Sequence, residues 1–237
     1  MQLGVRDVAG ILNVSEKTVY RWIQQGQLPA YRVNDQYRFN RSELLEWANS
    51  KRINVNVEVF SSGDGSAEAT PGLSEALEAG GIFYRMEGAD KASALASVVQ
   101  VMRVPPDVDR DFLLQILLAR ESIASTGIGD GIAIPHVRNP IVLPVIAPMI
   151  CLCFLERPIE FGAIDGQPVN SLFTVISPSV RVHLHLLSRL AFGLRDPVFK
   201  QAIVSQSPRD EILRAARQVD VRLASGAPQP VAEAASP

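Results

Sequence analysis

The sequence predicts an α/β chain of the α+β kind, with a small front domain of short helices and a hairpin followed by a larger mixed-sheet domain with flanking helices. Three observations predict it. The 237 residues, 47% of them hydrophobic, are enough for a small domain joined to a medium one. Charge is split: residues 1–52 hold eight Lys/Arg (Arg6, Lys17, Arg21, Arg32, Arg38, Arg41, Lys51, Arg52) against five acids, net +3, whereas the whole chain is −2. A basic front and an acidic remainder are the asymmetry expected when one end meets a polyanion. Between them "SSGDGSAEATPG", residues 61–72, has little to bury and reads as a linker. The expected division is 1–52, a linker over 53–72, a second domain over 73–220, and a disordered tail over 221–237 ending in "ASGAPQPVAEAASP".

The front reads as two short helices, a turn, a hairpin and a third helix. Ser15 suits an N-cap and Gly26 the C′ position, giving a second helix of about ten residues. At 100° per residue Val19, Trp22 and Ile23 share one side. Lys17, Thr18, Tyr20, Arg21, Gln24 and Gln25 fill the other, supplying cations for phosphates and hydrogen-bonding groups for base edges. On charge pattern alone, an ordinary solvated face is the commoner reading. "LPAYRV" and "QYRF", around a turn at Asn34-Asp35, add a two-stranded wing with Arg32 and Arg38 near a DNA backbone. Through "VRDVAGILNVSEKTVYRWIQQGQLPAYRVNDQYRFNRSELLEW", residues 3–50 resemble the excisionase/MerR-like winged helix-turn-helix family, which implies a DNA-binding module. The turn departs from that family, with Asn-Asp where glycine is frequent.

The second domain reads as helices near 90–103 and 107–120, strands near 149–155 and 171–177, and helices near 180–195, 197–205 and 208–219. Cys151 and Cys153 alternate along one apolar run, which puts two reduced thiols on one face of a buried strand. The most apolar stretch, "IVLPVIAPMICLCFL", is too short for a bilayer and is cut by two prolines, and no leader pattern opens the chain. The expected location is the cytoplasm, without membrane insertion.

Three histidines occur, and the first, His136, follows a proline in "GIAIPHVRNP". A neutral imidazole there can ligate a metal, make a structural hydrogen bond or accept a phosphoryl group. No Cys/His cluster has zinc spacing, so neither metal nor cofactor is expected. On the isolated Pro-His, a structural histidine is the commoner case. On the helix after Pro178, His183 falls on the stripe of Leu187, Leu190 and Leu194, whereas His185 faces the other way with Arg181, Arg189 and Phe192. His183 also lies near that helix's N-terminus, where the dipole disfavours an imidazolium. Arg120 shares a stripe with Leu113 and Leu117 and so needs an anion, either a carboxylate or a phosphate. Gly127, Gly129 and Gly131 would let backbone N–H groups approach an oxyanion.

Through "LLARESIASTGIGDGIAIPH", "RPIEFGAIDGQPVNSLFTVISP" and "HLHLLSRLAFGLRD", residues 73–220 resemble a type 2 enzyme IIA domain of the phosphoenolpyruvate-dependent phosphotransferase system, of the mannitol/fructose and nitrogen-regulatory branch. The resemblance implies that His136 accepts a phosphoryl group from HPr or its nitrogen-branch relative, that Arg120 steadies the phosphoryl oxygens and that His183 orients or buffers His136. Val137 after the histidine is bulkier than the small residue of many relatives, and Arg138 adds a cation. The whole chain then reads as a cytoplasmic regulator linking phosphotransferase status to transcription. It would be a phosphohistidine carrier without turnover of its own, and the reading head is expected to gain site specificity by dimerising. The alternatives are a phosphocarrier or phosphorylation-dependent protein binder whose front domain docks, and a IIA fold that no longer transfers phosphate.

Overall fold

Ile150, Leu152 and Phe154 alternate with Met149, Cys151, Cys153 and Leu155, so a strand over this run presents an apolar side chain to each of its two faces. The computed structural model describes residues 3–33, 36–39, 44, 47–48, 51, 70–106, 108–137 and 147–225. The chain separates into two units, Met1–Ala67 and Glu68–Pro237. The tip Asn34-Asp35, most of the 53–72 linker, Arg138 and the tail beyond 225 lie outside the described residues.

In the first unit α1 (Val5–Ile11) and α2 (Glu16–Gln24) are followed by the antiparallel hairpin of β1 (Tyr31–Val33) and β2 (Gln36–Arg38). Leu44, Trp47 and Ala48 are helical in turn. Ser15 Oγ accepts from the Thr18 N–H, and Gly26 at φ 65° ends α2 in the left-handed conformation that glycine adopts without strain. Val19 is buried, and the Trp22 ring meets that of Trp47 edge to face at 5.2 Å. Leu3 pairs with Phe39, closing the hairpin base against the start of the chain.

The second unit is a five-stranded mixed sheet between two helical layers. Its order is β3 (Ile82–Met86), β6 (Met149–Ile159), β7 (Val169–Ile176), β5 (Ile132–Ala133), β4 (Gly127–Gly129). β6 and β7 run antiparallel, and β3 and β5 flank them in parallel. One face of β6 (Ile150, Leu152, Phe154) packs with α3 (Leu73–Gly80), α6 (Val180–Gly193), α7 (Pro197–Val204) and α8 (Arg209–Ala224). The other face (Met149, Cys151, Cys153, Leu155) packs with α4 (Lys91–Val101) and α5 (Arg110–Ile123). Cys151 and Cys153 are free and buried with sulfurs 3.7 Å apart, and mutual contact and burial push the Cys153 thiol up.

Boundaries differ from the sequence expectation where a cap or a late contact decides them. Asp109 accepts from the Asp111 and Phe112 N–H groups, so α5 starts at Arg110 rather than 107 and continues to Ile123. α8 runs to Ala224, past the expected end at 219, because Leu223 still packs on the core and Arg222 pairs with Asp196. The tail therefore does not begin at 221. α3, β3 and the β4–β5 pair went unread. α3 ends against β6 so closely that a Cβ on Gly80 would stand 2.3 Å from the Ile150 carbonyl oxygen.

Candidate functional site

Along β5 and the residues after it, Ile132 and Ile134 belong to the core on the α6 side and Ala133 and Val137 to the core on the α5 side. The same alternation turns His136 toward α6. The segment stays tied to the sheet, with the Val175 N–H donating to the Pro135 carbonyl and a bridge joining His136 to Val175. His136 is only 4% exposed, and its Nδ1 lies 2.7 Å from the Ile134 carbonyl. A carbonyl accepts only, so Nδ1 carries the proton and Nε2 keeps its lone pair. The backbone therefore sets the tautomer.

Ser179 caps α6 by accepting from the Val182 N–H, and the next residue, His183, sits in the first turn, 2% exposed. The His136 and His183 ring centroids are 5.3 Å apart at 43°. Positive potential at the helix start favours the neutral form of His183, so the pair can meet without charge repulsion. The fold thus brings together the two histidines singled out in the sequence.

Arg120, buried at the end of α5, donates from Nη1 to the Ala124 carbonyl at 2.8 Å. The anion next to it in sequence, Glu121, belongs to other groups: it accepts from Lys91 at 3.2 Å and from the N–H and hydroxyl of Thr126. Thr126 in turn accepts from the Ile134 N–H, so Glu121 braces the strand that leads to His136. Sequence reasoning missed Glu121, which nothing in the local pattern tied to Thr126 five residues on. The glycine run does not form an oxyanion cradle. Gly127 and Gly129 are strand β4, a Cβ on Gly127 would stand 2.7 Å from the Ala163 Cα, and the Gly131 carbonyl accepts from Asn170 and Ser171. These glycines serve a tight hairpin and its packing.

His185 does face away from His183, but not to solvent: it is 3% exposed. Its Nε2 lies 2.8 Å from Arg189 Nε and 3.1 Å from the Pro71 carbonyl oxygen. The guanidinium can only donate to Nε2, whereas the Pro71 carbonyl can only accept from it, so Nε2 satisfies one of the two at a time, and the contact with Arg189 takes the neutral ring. Arg189 also pairs with Asp220 at 2.8 Å, and Asp220 accepts the N–H groups of Leu73 and Ser74 and the Ser74 hydroxyl. This clasp fastens the start of α3 to α6 and α8, and a Cβ on Gly72 would come within 2.7 Å of the Asp220 carboxylate.

Burial, and then the Arg189 guanidinium, holds the His185 pKa below its ordinary value; Arg181 adds to this, and Pro71 and Asp220 oppose it. The unfolded chain therefore takes up the proton first, so this contribution to stability is complete above the unfolded value of about 6.5 and is lost progressively as pH falls below it toward the folded value. The urea midpoint is expected to fall between about pH 7 and pH 5, and His185→Gln to flatten that dependence. An unchanged slope in the variant would exclude His185 as its source.

In the first unit α2 turns Lys17, Tyr20, Arg21 and Gln24 to solvent, with Thr18 half-buried and its hydroxyl 3.0 Å from Ser15 Oγ. In the hairpin Arg32 stands opposite Tyr37, and Tyr31 opposite Arg38. Arg38 Nη2 donates to Gln36 at 2.6 Å. The Tyr20 and Tyr37 rings meet edge to face at 6.1 Å and 69°, joining α2 to the hairpin. Among the described residues no group of three or more His, Cys, Asp or Glu could hold a metal ion, and no helix is long and apolar enough to cross a membrane.

The profile of the phosphoenolpyruvate-dependent sugar phosphotransferase system EIIA 2 family matches residues 75–218, and that of a helix-turn-helix domain matches residues 3–52. Nitrogen regulatory protein of Pseudomonas aeruginosa is 34% identical over 122 residues, covering 50% of this chain and 77% of that protein. Nitrogen regulatory protein of Klebsiella oxytoca is 32% identical over 124 residues, covering 52% and 75%. The crystal structure of nitrogen regulatory protein IIA-Ntr from Neisseria meningitidis superposes with a TM-score of 0.50 at 25% identity, covering 61% of this chain and 94% of that one.

Proposed function

Because the chain belongs to the phosphoenolpyruvate-dependent sugar phosphotransferase system EIIA 2 family and carries a helix-turn-helix domain ahead of it, we propose that it is a cytoplasmic DNA-binding regulator that accepts a phosphoryl group on His136. The observation that carries the reading is the His136 ring, whose Nδ1–H is taken by the Ile134 carbonyl while His183 lies beside it. Nε2 is then the nucleophile: its lone pair forms a bond to phosphorus as the P–N bond of a donor ring protonated at its other nitrogen breaks, and that bonding pair stays with the donor, which leaves as neutral imidazole while His136 takes over the positive charge. Nδ1–H stays on the carbonyl throughout, stabilising the ring as it gains positive character. His183 orients or buffers His136, and the Arg120 guanidinium compensates charge on the phosphoryl oxygens. Positioning and charge compensation suffice, so the chain acts as a phosphohistidine carrier without turnover of its own.

The donor in this reading is HPr or its nitrogen-branch relative; the similarity to nitrogen regulatory proteins favours the latter. Incubation with phosphoenolpyruvate, enzyme I and each donor, followed by intact mass, is expected to give one acid-labile phosphoryl adduct. No adduct with either donor would leave a IIA fold kept for contacts.

The front unit is proposed to bind DNA as a dimer through Lys17, Thr18, Tyr20, Arg21 and Gln24 on α2, with Arg32 and Arg38 supplying cations from the hairpin. Lys17→Ala with Arg21→Ala is expected to weaken binding to every duplex and to reduce the slope of log affinity against log salt by about 2, one for each phosphate left unneutralised. Fluorescence anisotropy across a salt series reads both. A wild type that binds no duplex would turn the front unit into a protein-docking module. Comparing DNA affinity of the phosphorylated and unphosphorylated forms tests whether the added charge at His136 reaches transcription.

A further inference from the structure

Glu121 is a carboxylate with 6% of its surface exposed, one residue beyond Arg120 in the last turn of α5. Its oxygens accept from three groups: the Thr126 N–H at 3.0 Å, the Thr126 hydroxyl at 2.6 Å and the Lys91 ammonium at 3.2 Å. A carboxylate withdrawn from water is kept in one place by such bonds, and it fixes its donors in turn. Thr126 carries this restraint to the sheet. It directly precedes β4, a three-residue strand at the sheet's edge, and its carbonyl accepts from the Ile134 N–H at 3.0 Å. Pro135 has no N–H with which to continue that ladder, so the β4 side of the segment is last fastened at Thr126. The Ile134 carbonyl then holds the Nδ1–H of His136 at 2.7 Å. Contacts therefore run without a break from Lys91 to the acceptor ring.

We propose that Glu121 is a positioning residue for phosphoryl transfer, setting through Thr126 the place and tautomer of the His136 ring and its distance from the Arg120 guanidinium. This deepens the phosphoryl-acceptor reading and rests on it. Glu121 touches no reacting atom. It acts because the carbonyl that keeps the proton on Nδ1, and so leaves the lone pair on Nε2, is only as fixed as the segment that bears it. Arg120 shares the turn that carries Glu121 and donates to the Ala124 carbonyl two residues before Thr126. The same carboxylate thus ties the cation's helix end to the acceptor's strand, and in-line transfer needs both groups in register. Lys91, with 34% of its side chain exposed and its ammonium 5.1 Å from the Phe161 ring centroid, is the outer end of the chain of contacts.

Two readouts on the full chain separate this role from a merely structural one, both taken below each variant's unfolding transition. One is NMR of isotope-labelled histidine nitrogens, which needs no donor; the other is single-turnover transfer across a range of phosphorylated donor concentrations. Glu121→Ala is expected to slow transfer at saturating donor about thirtyfold, with the half-saturating donor concentration unchanged, and to replace the Nδ1–H pattern of His136 by an average of the two tautomers. Glu121→Gln, whose amide oxygen still accepts from Thr126, should recover most of the rate and restore the tautomer. Thr126→Val, which loses the hydroxyl and keeps the N–H, should fall between them. Asp220→Ala, destabilised elsewhere in the unit, should keep the His136 tautomer. Full-rate transfer with an unchanged tautomer in both Glu121→Ala and Thr126→Val would overturn the proposal and leave Glu121 to packing; if Glu121→Ala does not fold, Thr126→Val decides alone. A loss confined to the half-saturating donor concentration would also overturn it, since the residue would then serve docking. If the wild type takes up no phosphoryl group from either donor, the acceptor reading falls and the positioning role with it, even where the tautomer follows Glu121.

Discussion

His136→Ala is expected to take up no phosphoryl group from either donor while still unfolding in one cooperative transition. The expectation follows from the geometry: the side chain holds a lone-pair nitrogen fixed by a carbonyl on the far side of its ring, and no other described group stands in that position. The more discriminating variant is His183→Ala. It leaves the nucleophile and its Ile134 hydrogen bond in place but removes the neighbour that limits the ring's tilt, so transfer should slow about a hundredfold without being abolished. Rapid-quench measurement of the acid-labile adduct separates the two. Full-rate labelling of His136→Ala would place the acceptor elsewhere, and full-rate labelling of His183→Ala would reduce the second histidine to packing.

The largest effect on stability is expected at the clasp that joins α3, α6 and α8. Asp220→Ala leaves the Arg189 guanidinium, the Leu73 and Ser74 N–H groups and the Ser74 hydroxyl without their common acceptor. Both charged side chains are about four-fifths buried, with relative exposures of 20% and 19%. Removing one member of such a pair costs more than the pair contributes, because the other charge stays behind; the expected loss is roughly 3 kcal/mol. For a unit of this size that lowers the melting temperature by about 10 °C. Arg189→Met, which removes the stranded charge as well, should recover part of the loss in the double variant. A single variant within about 0.5 kcal/mol of wild type would show that water replaces the clasp.

The architecture was legible wherever period and punctuation agreed. α2 could be read from Ser15 and Gly26, and β6 from the alternation that sends Ile150 and Cys151 to opposite layers. His136 and His183 were legible as candidates, one through its proline and the other through its stripe, but their ring contact was not, because it depends on β7 carrying one segment past the start of α6. α3 and β3 escaped because each is shorter than the window a period needs, and a glycine separates them. The glycines at 127, 129 and 131 were misread for a related reason. A glycine allows close approach, and sequence does not say whether a ligand or Ala163 is what approaches. His185 and Asp220 went unrecognised as the two partners of Arg189 because Pro71 and Leu73, which they also bind, lie more than a hundred residues away in sequence.

That return has a consequence for how the protein is made. On a ribosome, α3 emerges before β6, the strand it packs against; Asp220, which ties off the α3 start, lies 147 residues behind Leu73. Until α8 leaves the exit tunnel, the Leu73 and Ser74 amides and Arg189 wait without their acceptor, and the apolar edge of α3 is uncovered. The second unit is therefore completed only once α8 has been made, while the described residues of the first, neighbouring helices and a hairpin, find their pairing partners within a short stretch and can close long before.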